Sequence, residues 1–380
     1  MNMHTGGNEN RNIQTGHEWL NRFGWNARAE SSFAEQSREG MFPARITADH
    51  GQKYKIVSER GEGWAELSGR QKYELEERSA FPAVGDWVLL RYLTETAPDG
   101  MIHGLLPRSS RISRRSAGTV PVEQLIAVNV DLLLLVAALN HDFNLRRLER
   151  YLVMAWNSGA NPVILLSKAD LAEDPEAIIT AVEAIAPGVP VIAVSAKENQ
   201  GREQLEALLK PGLTIAMTGS SGAGKSTILN WLCGEELQAT TEVREDDSRG
   251  RHTTTHRELF PLPQGAVMID TPGMRELQLW EDEDGGWAEA FADIEKLAAD
   301  CRFKDCRHEQ EAGCAVLAAI RNGELERKRL DNYRRTEREL KYQHAKENQR
   351  KRSQHRTGGK KELRRDKGAK RRRYELEPMD

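Results

Sequence analysis

The pattern of apolar and polar positions changes character along the chain. Residues 1–40 are mostly polar, with one apolar patch, WLNRFGWN, that predicts a helix packed on a neighbouring element. From 41 to 110 the apolar residues fall in short segments separated by turn residues: ARITADHG, YKIVSERG, GWAELSG, VGDWVLLRYL and MIHGLLPR. Several short strands at this spacing predict a small β-barrel, and the length fits an OB fold. Such barrels often bind RNA; a barrel that only packs on its neighbour is the alternative.

Between residues 119 and 280 the pattern becomes an alternation of strands and helices. The predicted strands are VNVDLLLLVAAL, NPVILLS, VPVIAVS and GLTIAMTG, and the helices between them are NLRRLERYLVMAWNSG, PEAIITAVEAIA and GREQLEALL. Continuous apolar strands separated by helices predict an α/β fold with a parallel sheet covered on both faces. In such a sheet a ligand binds at the carboxyl ends of the strands. The basic, Ser-rich joint at 108–118 is predicted to be a linker or an RNA contact.

The segment GSSGAGKS matches the phosphate-loop pattern G-x-x-x-x-G-K-[ST] and lies between a predicted strand and a predicted helix. Its backbone N–H groups and the helix N-terminus favour phosphate oxygens. Lys225 is predicted to reach the β- and γ-phosphates, and Ser226 to bind magnesium. A Gly/Ser loop without a nucleotide is the alternative. The predicted phosphate-binding residues are Gly219, Ser220, Ser221, Gly222, Ala223, Gly224, Lys225, Ser226 and Thr227.

Two later segments complete a predicted nucleoside triphosphate site. VMIDTPG is a strand followed by Asp-x-x-Gly, in which Asp270 would hold magnesium and the N–H of Gly273 would bond the γ-phosphate. The polar segment 248–256, SRGRHTTTH, is typical of a switch loop ordered by the γ-phosphate and magnesium. One of Thr253, Thr254 and Thr255 would supply a hydroxyl to magnesium, and Thr254 is taken as the candidate. A Thr-rich strand start is the alternative for this segment.

A second pair of short motifs predicts that the base is guanine. In SKAD, the carboxylate of Asp170 is able to accept from both N1–H and the exocyclic amine of guanine, a donor pair that adenine does not offer. The stem of Lys168 would lie over the base, and Ser167 begins the box. After the next strand, Ser195, Ala196 and Lys197 predict a loop whose backbone N–H bonds the guanine O6.

The order of these motifs differs from that of ordinary GTPases, in which the phosphate loop comes first. Here the base box precedes the phosphate loop, the switch and Asp-x-x-Gly. The site is formed by neighbouring strands of the sheet, whatever their order in the chain. Joining the old chain termini and opening new ones elsewhere therefore leaves the site intact. The sequence therefore predicts a circularly permuted GTPase in which the second switch leads toward the C-terminal residues.

Three of the four cysteines crowd together near a histidine at 301–314. Cys301, Cys306, His308 and Cys314 supply three thiolates and one imidazole, a set for a closed, structural zinc site, with free thiols as the alternative. Cys233 is predicted to be a small buried residue. Residues 281–340 are predicted to form a mainly helical, zinc-binding domain.

Charge is distributed unevenly along the chain. Residues 341–373 carry fifteen Lys/Arg against three Asp/Glu, a local +12 that leaves −15 for the rest of a chain with net charge −3. The tail, 341–380, is predicted to be disordered, with RNA as its leading partner and a solvated tail without a fixed partner as the alternative. The N-terminus lacks a signal-peptide core and the longest apolar run, 132–139, is too short to cross a bilayer, so we expect a cytoplasmic protein.

The ordered set of motifs resembles the bacterial ribosome small subunit-dependent GTPase A family. The resemblance spans about Ala44 to Asn332 and rests on FNLRRLERYL, GSSGAGKST, GRHTTT, DTPGMREL and CRFKDCRHEQEAGCAV. Ser167 departs from the family pattern, which has Asn or Thr there, and the long basic tail exceeds it.

The resemblance implies an OB domain, a permuted GTPase domain and a zinc-binding domain in a protein that docks on the small ribosomal subunit late in maturation. Hydrolysis of GTP would be stimulated by the subunit, the partners would be the subunit and its rRNA, and the protein would act as a monomer. Met274 stands where Ras-like enzymes place the glutamine that orients the attacking water. The resemblance makes His252 its candidate substitute, either as a catalytic group or as a brace for the loop. Arg251 is the candidate arginine finger.

Two other functional classes remain open from the residues. One is an RNA-binding scaffold with nucleotide as a structural ligand, which a complete switch loop disfavours. The other is an ATP-dependent kinase or ATPase, which Asp170 disfavours.

Overall fold

A computed structural model describes residues 18–75, 78–115, 123–234, 257–270 and 286–342, together with Ala345. Within these ranges the chain forms two compact units, one of residues up to Asp270 with 286–292 and the other from Asp293 onward. Of the helices in the described part of the chain, none combines the length and apolar character needed to span a bilayer. Residues 1–17 of the polar N-terminal segment and nearly all of the basic tail lie outside the described ranges.

The WLNRFGWN patch forms the end of one helix and the turn to another. Helix α1 is Glu18–Arg22 and helix α2 is Ala27–Gln36, so the single predicted helix is in fact two. Gly24 separates them because its φ is +85° and a Cβ there would lie 2.5 Å from Arg45 Nη1. Asn26 then caps α2 by accepting from the N–H of Ala29 at 3.1 Å. As predicted, the patch packs on a neighbour: the Trp25 ring meets Trp87 edge-on at 4.8 Å.

The predicted barrel is closed and five-stranded. Its strands are β1 Phe42–Asp49, β2 Tyr54–Ser58, β3 Gly61–Leu67, β4 Trp87–Tyr92 and β5 Gly100–Leu105, with the short helix α3 Gly69–Glu74 after β3. β1 pairs with both β2 and β4, which closes the barrel around a core that includes Ile46, Ile56, Leu90 and Ile102. Alternation of buried and exposed residues is clearest on β3, whose odd positions face this core.

The basic joint at 108–118 is not only a linker. Strand β6, Arg111–Arg115, pairs antiparallel with β7, Glu123–Val128, to make a two-stranded ribbon. The Ser-rich composition concealed this strand, whose only fully buried apolar residue among those with a described side chain is Ile112.

The alternating region forms the predicted sheet. Its strands are β8 Leu132–Ala138, β9 Asn161–Ser167, β10 Val191–Val194, β11 Thr214–Gly219, β12 Glu258–Pro261 and β13 Val267–Asp270. Its helices are α4 Leu145–Asn157, α5 Pro175–Ile185, α6 Arg202–Glu206 and α7 Lys225–Cys233. The sheet order β10-β9-β8-β11-β13-β12 is parallel except for β12. A buried core of apolar residues, including Leu134, Leu165 and Ile215, fills one face.

The barrel and the GTPase-like sheet share a continuous set of strands and a buried arginine. Ala48 of β1 pairs with Glu258 of β12. Arg45, 1% exposed, donates from Nη2 to Thr214 Oγ1 at 2.7 Å and from Nη1 to the carbonyl of Phe23. Its guanidinium also lies 4.9 Å from the Trp87 ring centroid. Burial lowers the pKa of Arg45 to about 10, so the group remains a cation at neutral pH.

The C-terminal part is helical, as predicted. Its elements are α8 Gly286–Ala290, α9 Ala292–Ala299, α10 Ala315–Asn322 and α11, residues 327–342. In the second unit, Arg329 on α11 makes two hydrogen bonds to Asp293 on α9, at 3.1 and 2.9 Å. Tyr333 also donates to Glu295 at 2.8 Å. These contacts hold α11 against α9, the helix that precedes the cysteine-rich loop.

Candidate functional site

The predicted motifs meet at one edge of the sheet, the carboxyl ends of its parallel strands. Gly219, where β11 ends, is opposite Val136 of β8, and Ala138 of the same strand is opposite Ser167, the last residue of β9. Ser167 is in turn opposite Val194, the last residue of β10. On the other side of β11 lies β13, which ends at Asp270. The four motifs are therefore neighbours although they are distant in sequence.

The candidate phosphate loop connects β11 to α7 by a tight turn that needs glycine. A Cβ at Gly219 would lie 2.2 Å from the carbonyl oxygen of Val136, so only glycine fits this approach to β8. Gly224 caps α7 with φ +85°, a left-handed conformation that favours glycine. The first turn of α7 directs its N–H groups toward the loop, where they and the helix dipole favour an anion.

Lys225 lies across this loop. Its Nζ donates to the carbonyl oxygens of Gly219 at 2.7 Å and Ser220 at 2.8 Å. These bonds hold the ammonium over the loop interior. Ser226 and Thr227 follow in the first turn of the helix, and Ala223 is buried with 1% of its surface exposed.

The two base-box segments are in direct contact. The Ser195 hydroxyl donates to Oδ1 of Asp170 at 2.6 Å and accepts from the N–H of Glu198 at 3.2 Å. Ser195 is fully buried, and Ala196 and Lys197 continue the same loop toward the surface. Lys168 adopts a left-handed φ of +57°, which begins the short 3-10 turn that contains Asp170. The carboxylate is thus oriented by a neighbouring loop.

Ser167 makes a contact that the sequence did not reveal. Its hydroxyl donates to the carbonyl oxygen of Ala223 at 2.7 Å, and its side chain is buried. The bond ties the base box directly to the phosphate loop. The short serine side chain reaches the loop because the sheet places the end of β9 beside it. The distance between β9 and the loop could not be predicted from the sequence pattern.

Several predicted residues lie outside the described residues. These are the switch segment with His252 and Thr254, the candidate finger Arg251, and Gly273 and Met274 after β13. Asp270 is described, half-buried at the carboxyl end of β13.

The three cysteines and the histidine of the second unit converge. Their ligand atoms all lie within 4.8 Å of one another. The Cys314 Sγ is 3.4 Å from His308 Nδ1, and Cys301 Sγ is 3.6 Å from the same nitrogen and 3.9 Å from Cys314 Sγ. A tetrahedral zinc with Zn–S about 2.3 Å and Zn–N about 2.0 Å needs ligand separations of about 3.5–3.8 Å. The cluster therefore fits a zinc ion.

Burial and mutual contact set the protonation of these groups in the absence of a bound cation. Desolvation, together with the neighbouring Cys314 and Cys301 thiols, raises the pKa of Cys306 to about 11. Desolvation and the nearby Arg334 lower the pKa of His308, so its imidazole is neutral and its lone pair is available. A bound divalent cation supplies the charge that lets thiols this close ionise together. Arg334 holds the loop by donating to the carbonyl oxygens of Arg307, at 3.1 Å, and His308.

Comparison with known proteins explains this combination of parts. A family model described as RsgA GTPase matches residues 105–280. A protein named "Small ribosomal subunit biogenesis GTPase RsgA" from Opitutus terrae is 44% identical over 330 residues, covering 85% of this chain and 90% of that protein. The chain belongs to the RsgA GTPase family. A protein of the same name from Syntrophotalea carbinolica is 42% identical over 323 residues, covering 83% and 87% of the two chains.

Two solved structures are also similar to this chain in fold. YjeQ from Thermotoga maritima superposes with a TM-score of 0.60 and 26% identity, covering 79% of this chain and 98% of that structure. YloQ, described as a circularly permuted GTPase, gives a TM-score of 0.57 and 26% identity, covering 80% and 97%. The predicted circular permutation is thereby confirmed, and membership of the RsgA GTPase family makes the chain a GTP hydrolase that uses magnesium with GTP.

Proposed function

We propose that this GTPase acts in the late maturation of the small ribosomal subunit and that the subunit stimulates its GTP hydrolysis. The observation that carries the proposal is the extent of the alignment with the Opitutus terrae protein, which covers 90% of that relative. A shared GTPase core alone would support only GTP hydrolysis.

The phosphates are assigned to the loop Gly219–Thr227, with Lys225 on the β- and γ-phosphates. Magnesium is assigned to Ser226 and Thr254, with Asp270 acting through water, and the N–H of Gly273 to the γ-phosphate. Support comes from the shared strand-end edge and from the position of the Lys225 ammonium over the loop. Magnesium would supply positive charge to the phosphate oxygens as charge develops during transfer.

Guanine is assigned to Asp170 and to the loop of Ser195, Ala196 and Lys197, with the stem of Lys168 over the ring. The 2.6 Å bond between Ser195 and Asp170 supports this assignment because it orients the carboxylate. Ser167 is assigned a supporting role through Ala223, in place of a direct contact with the base.

His252 is proposed to orient or deprotonate the attacking water, since Met274 has no group that does so. The alternative is that His252 only braces the first switch. Arg251 is the candidate for stabilising the transition-state charge.

A structural zinc ion is proposed at Cys301, Cys306, His308 and Cys314. All four ligands come from the protein, so the ion would have no open position for catalysis. It would instead fix the loop that joins α9 to α10.

The proposed partner is the small subunit, contacted through rRNA by the barrel, the cysteine-rich loop and the basic residues 341–380. The local charge of +12 within 341–373 supports a phosphate backbone as the ligand of the tail. The protein is proposed to act as a cytoplasmic monomer.

Co-sedimentation with purified small subunits tests the partner. The protein loaded with the non-hydrolysable analogue GMPPNP should pellet with subunits more strongly than the GDP-loaded protein. A variant ending at Tyr342 should bind more weakly and with a shallower dependence on salt, because it lacks the basic residues. Equal, weak binding in both nucleotide states would contradict the ribosomal role and leave the GTPase activity in place.

A further inference from the structure

An ion pair lies beside the phosphate loop, and none of the roles proposed above uses it. It is formed by residues that follow β8, the direct neighbour of the phosphate-loop strand β11. Asp142 lies in the connection between β8 and α4, and Arg147 lies in the first turns of α4. With Ser220 and Tyr151 they line a shallow cleft between α4 and the loop.

The geometry of the pair is bidentate and is held by its surroundings. Arg147 Nη1 donates to Asp142 Oδ2 at 2.7 Å, and Nη2 donates to Oδ1 at 3.1 Å. Asn140 accepts from the N–H of Asp142 at 3.1 Å, and Asn144 caps α4 by accepting from the N–H of Arg147 at 3.2 Å. The connection is therefore shaped to present the Asp142 carboxylate to the arginine.

The same carboxylate lies beside the phosphate loop, since Asp142 and Ser220 line the same cleft. The hydrogen bond from Arg147 is the largest influence on the pKa of Asp142 and lowers it, and a hydrogen bond from the Ser220 hydroxyl lowers it further. The carbonyl oxygen of Ser220 in turn accepts from Lys225 Nζ at 2.8 Å. A chain of polar contacts thus runs from α4 to the lysine that is assigned to the phosphates.

Fold stability does not account for this arrangement. The side chains of Arg147 and Asp142 are 36% and 48% exposed, and ion pairs at such exposure contribute little to stability. A carboxylate next to the phosphate loop would, by itself, repel the phosphates of GTP. The bidentate arginine cancels that charge and leaves the carboxylate available as an acceptor for Ser220.

The geometry points to Asp142 and Arg147 as positioning residues of the GTP site: Asp142 anchors the phosphate loop through Ser220, and Arg147 orients that carboxylate and neutralises its charge. Neither residue needs to touch the nucleotide. The repulsion that Arg147 removes grows with the charge of the ligand, so its loss weakens binding of a triphosphate more than binding of a diphosphate.

Calorimetric titration of the full-length protein with GDP and with GMPPNP, both with magnesium, tests the proposal. Arg147→Ala should weaken GMPPNP binding about tenfold and GDP binding by less, as expected of an uncompensated charge near a charged ligand. The double variant Asp142→Asn with Arg147→Ala should recover most of the lost GMPPNP affinity, because the repelling charge is gone. Arg147→Lys should lie near the wild type.

Two controls separate positioning from folding. Arg146→Ala removes an exposed arginine one residue away on the same helix and should leave both affinities unchanged. The melting temperature of the nucleotide-free protein should be the same for the wild type and for every variant. Wild-type GMPPNP affinity in Arg147→Ala, equal weakening of GDP and GMPPNP binding, or no recovery in the double variant would each overturn the proposal.

Discussion

Ser167 is the residue whose role changes most once the structure is considered. By sequence it is the shortened first position of a guanine box. In the structure its hydroxyl is already engaged by the Ala223 carbonyl of the phosphate loop. The consequence is that the serine connects the two halves of the nucleotide site.

Ser167→Ala should therefore weaken GTP and GDP binding by a similar factor while leaving the preference for guanine intact. It leaves the buried Ala223 carbonyl without its donor, a cost of about 1–3 kcal/mol that loosens the phosphate loop, so a loss of up to about tenfold in affinity is expected. Ser167→Thr keeps the hydroxyl and is the matched control. Calorimetric titration with GDP, with ADP as competitor, measures both quantities. If the variant kept its full affinity for GDP but lost preference for GDP over ADP, Ser167 would contact the base instead.

Asp170 carries the opposite expectation. Asp170→Asn removes the charge that accepts from two guanine donors, and hydrogen bonds to charged groups contribute about 1.5–3 kcal/mol, so the preference for GTP over ATP should fall about tenfold or more. Competition of labelled GTP by unlabelled ATP measures this preference. An undiminished preference would show that another group selects the base.

At the scale of the element, periodicity predicted most of what the structure contains. The barrel strands, the alternating strands and helices of the sheet, and the phosphate loop between β11 and α7 all follow from local apolar patterns and glycine positions. Strand β6 was missed because its polar sequence pairs with a partner at 123–128, and pairing depends on residues outside the local window. The division between α1 and α2 depends on Gly24, which has a positive φ and leaves no room for a side chain beside Arg45.

The cysteine cluster gives an element-scale prediction. Cys314→Ser removes a zinc ligand but keeps a side-chain acceptor at the N-cap of α10, where Cys314 Sγ accepts from the N–H of Leu317 at 3.4 Å. The variant should bind less than one zinc per chain and should unfold its second unit at a lower temperature, because metal binding is coupled to folding. Metal analysis with calorimetric melting measures both. Cys233→Ser, on α7 outside the cluster, is the matched control and should retain full zinc; zinc retained in Cys314→Ser would contradict the assignment.

At the scale of the whole molecule, motif order was the informative signal. The base box precedes the phosphate loop in the chain, yet the registers place their strands side by side with only β8 between β9 and β11. Buried contacts between the barrel and the sheet could not be predicted from the sequence in this way. Arg45 is a lone arginine in a barrel strand by sequence, and only the fold places its guanidinium against Thr214 of β11. Long-range contacts of this kind depend on the assembled structure.

We propose that the small ribosomal subunit controls GTP hydrolysis by this permuted GTPase. The most direct test is the rate of GTP hydrolysis by the full-length protein, measured alone and with purified small subunits, with His252→Ala as the variant lacking the proposed catalytic group. We predict slow turnover alone, stimulation of at least about tenfold by the subunits, and a loss of about a hundredfold or more in the stimulated rate of His252→Ala at unchanged GTP affinity. An equal rate with and without subunits would contradict the account.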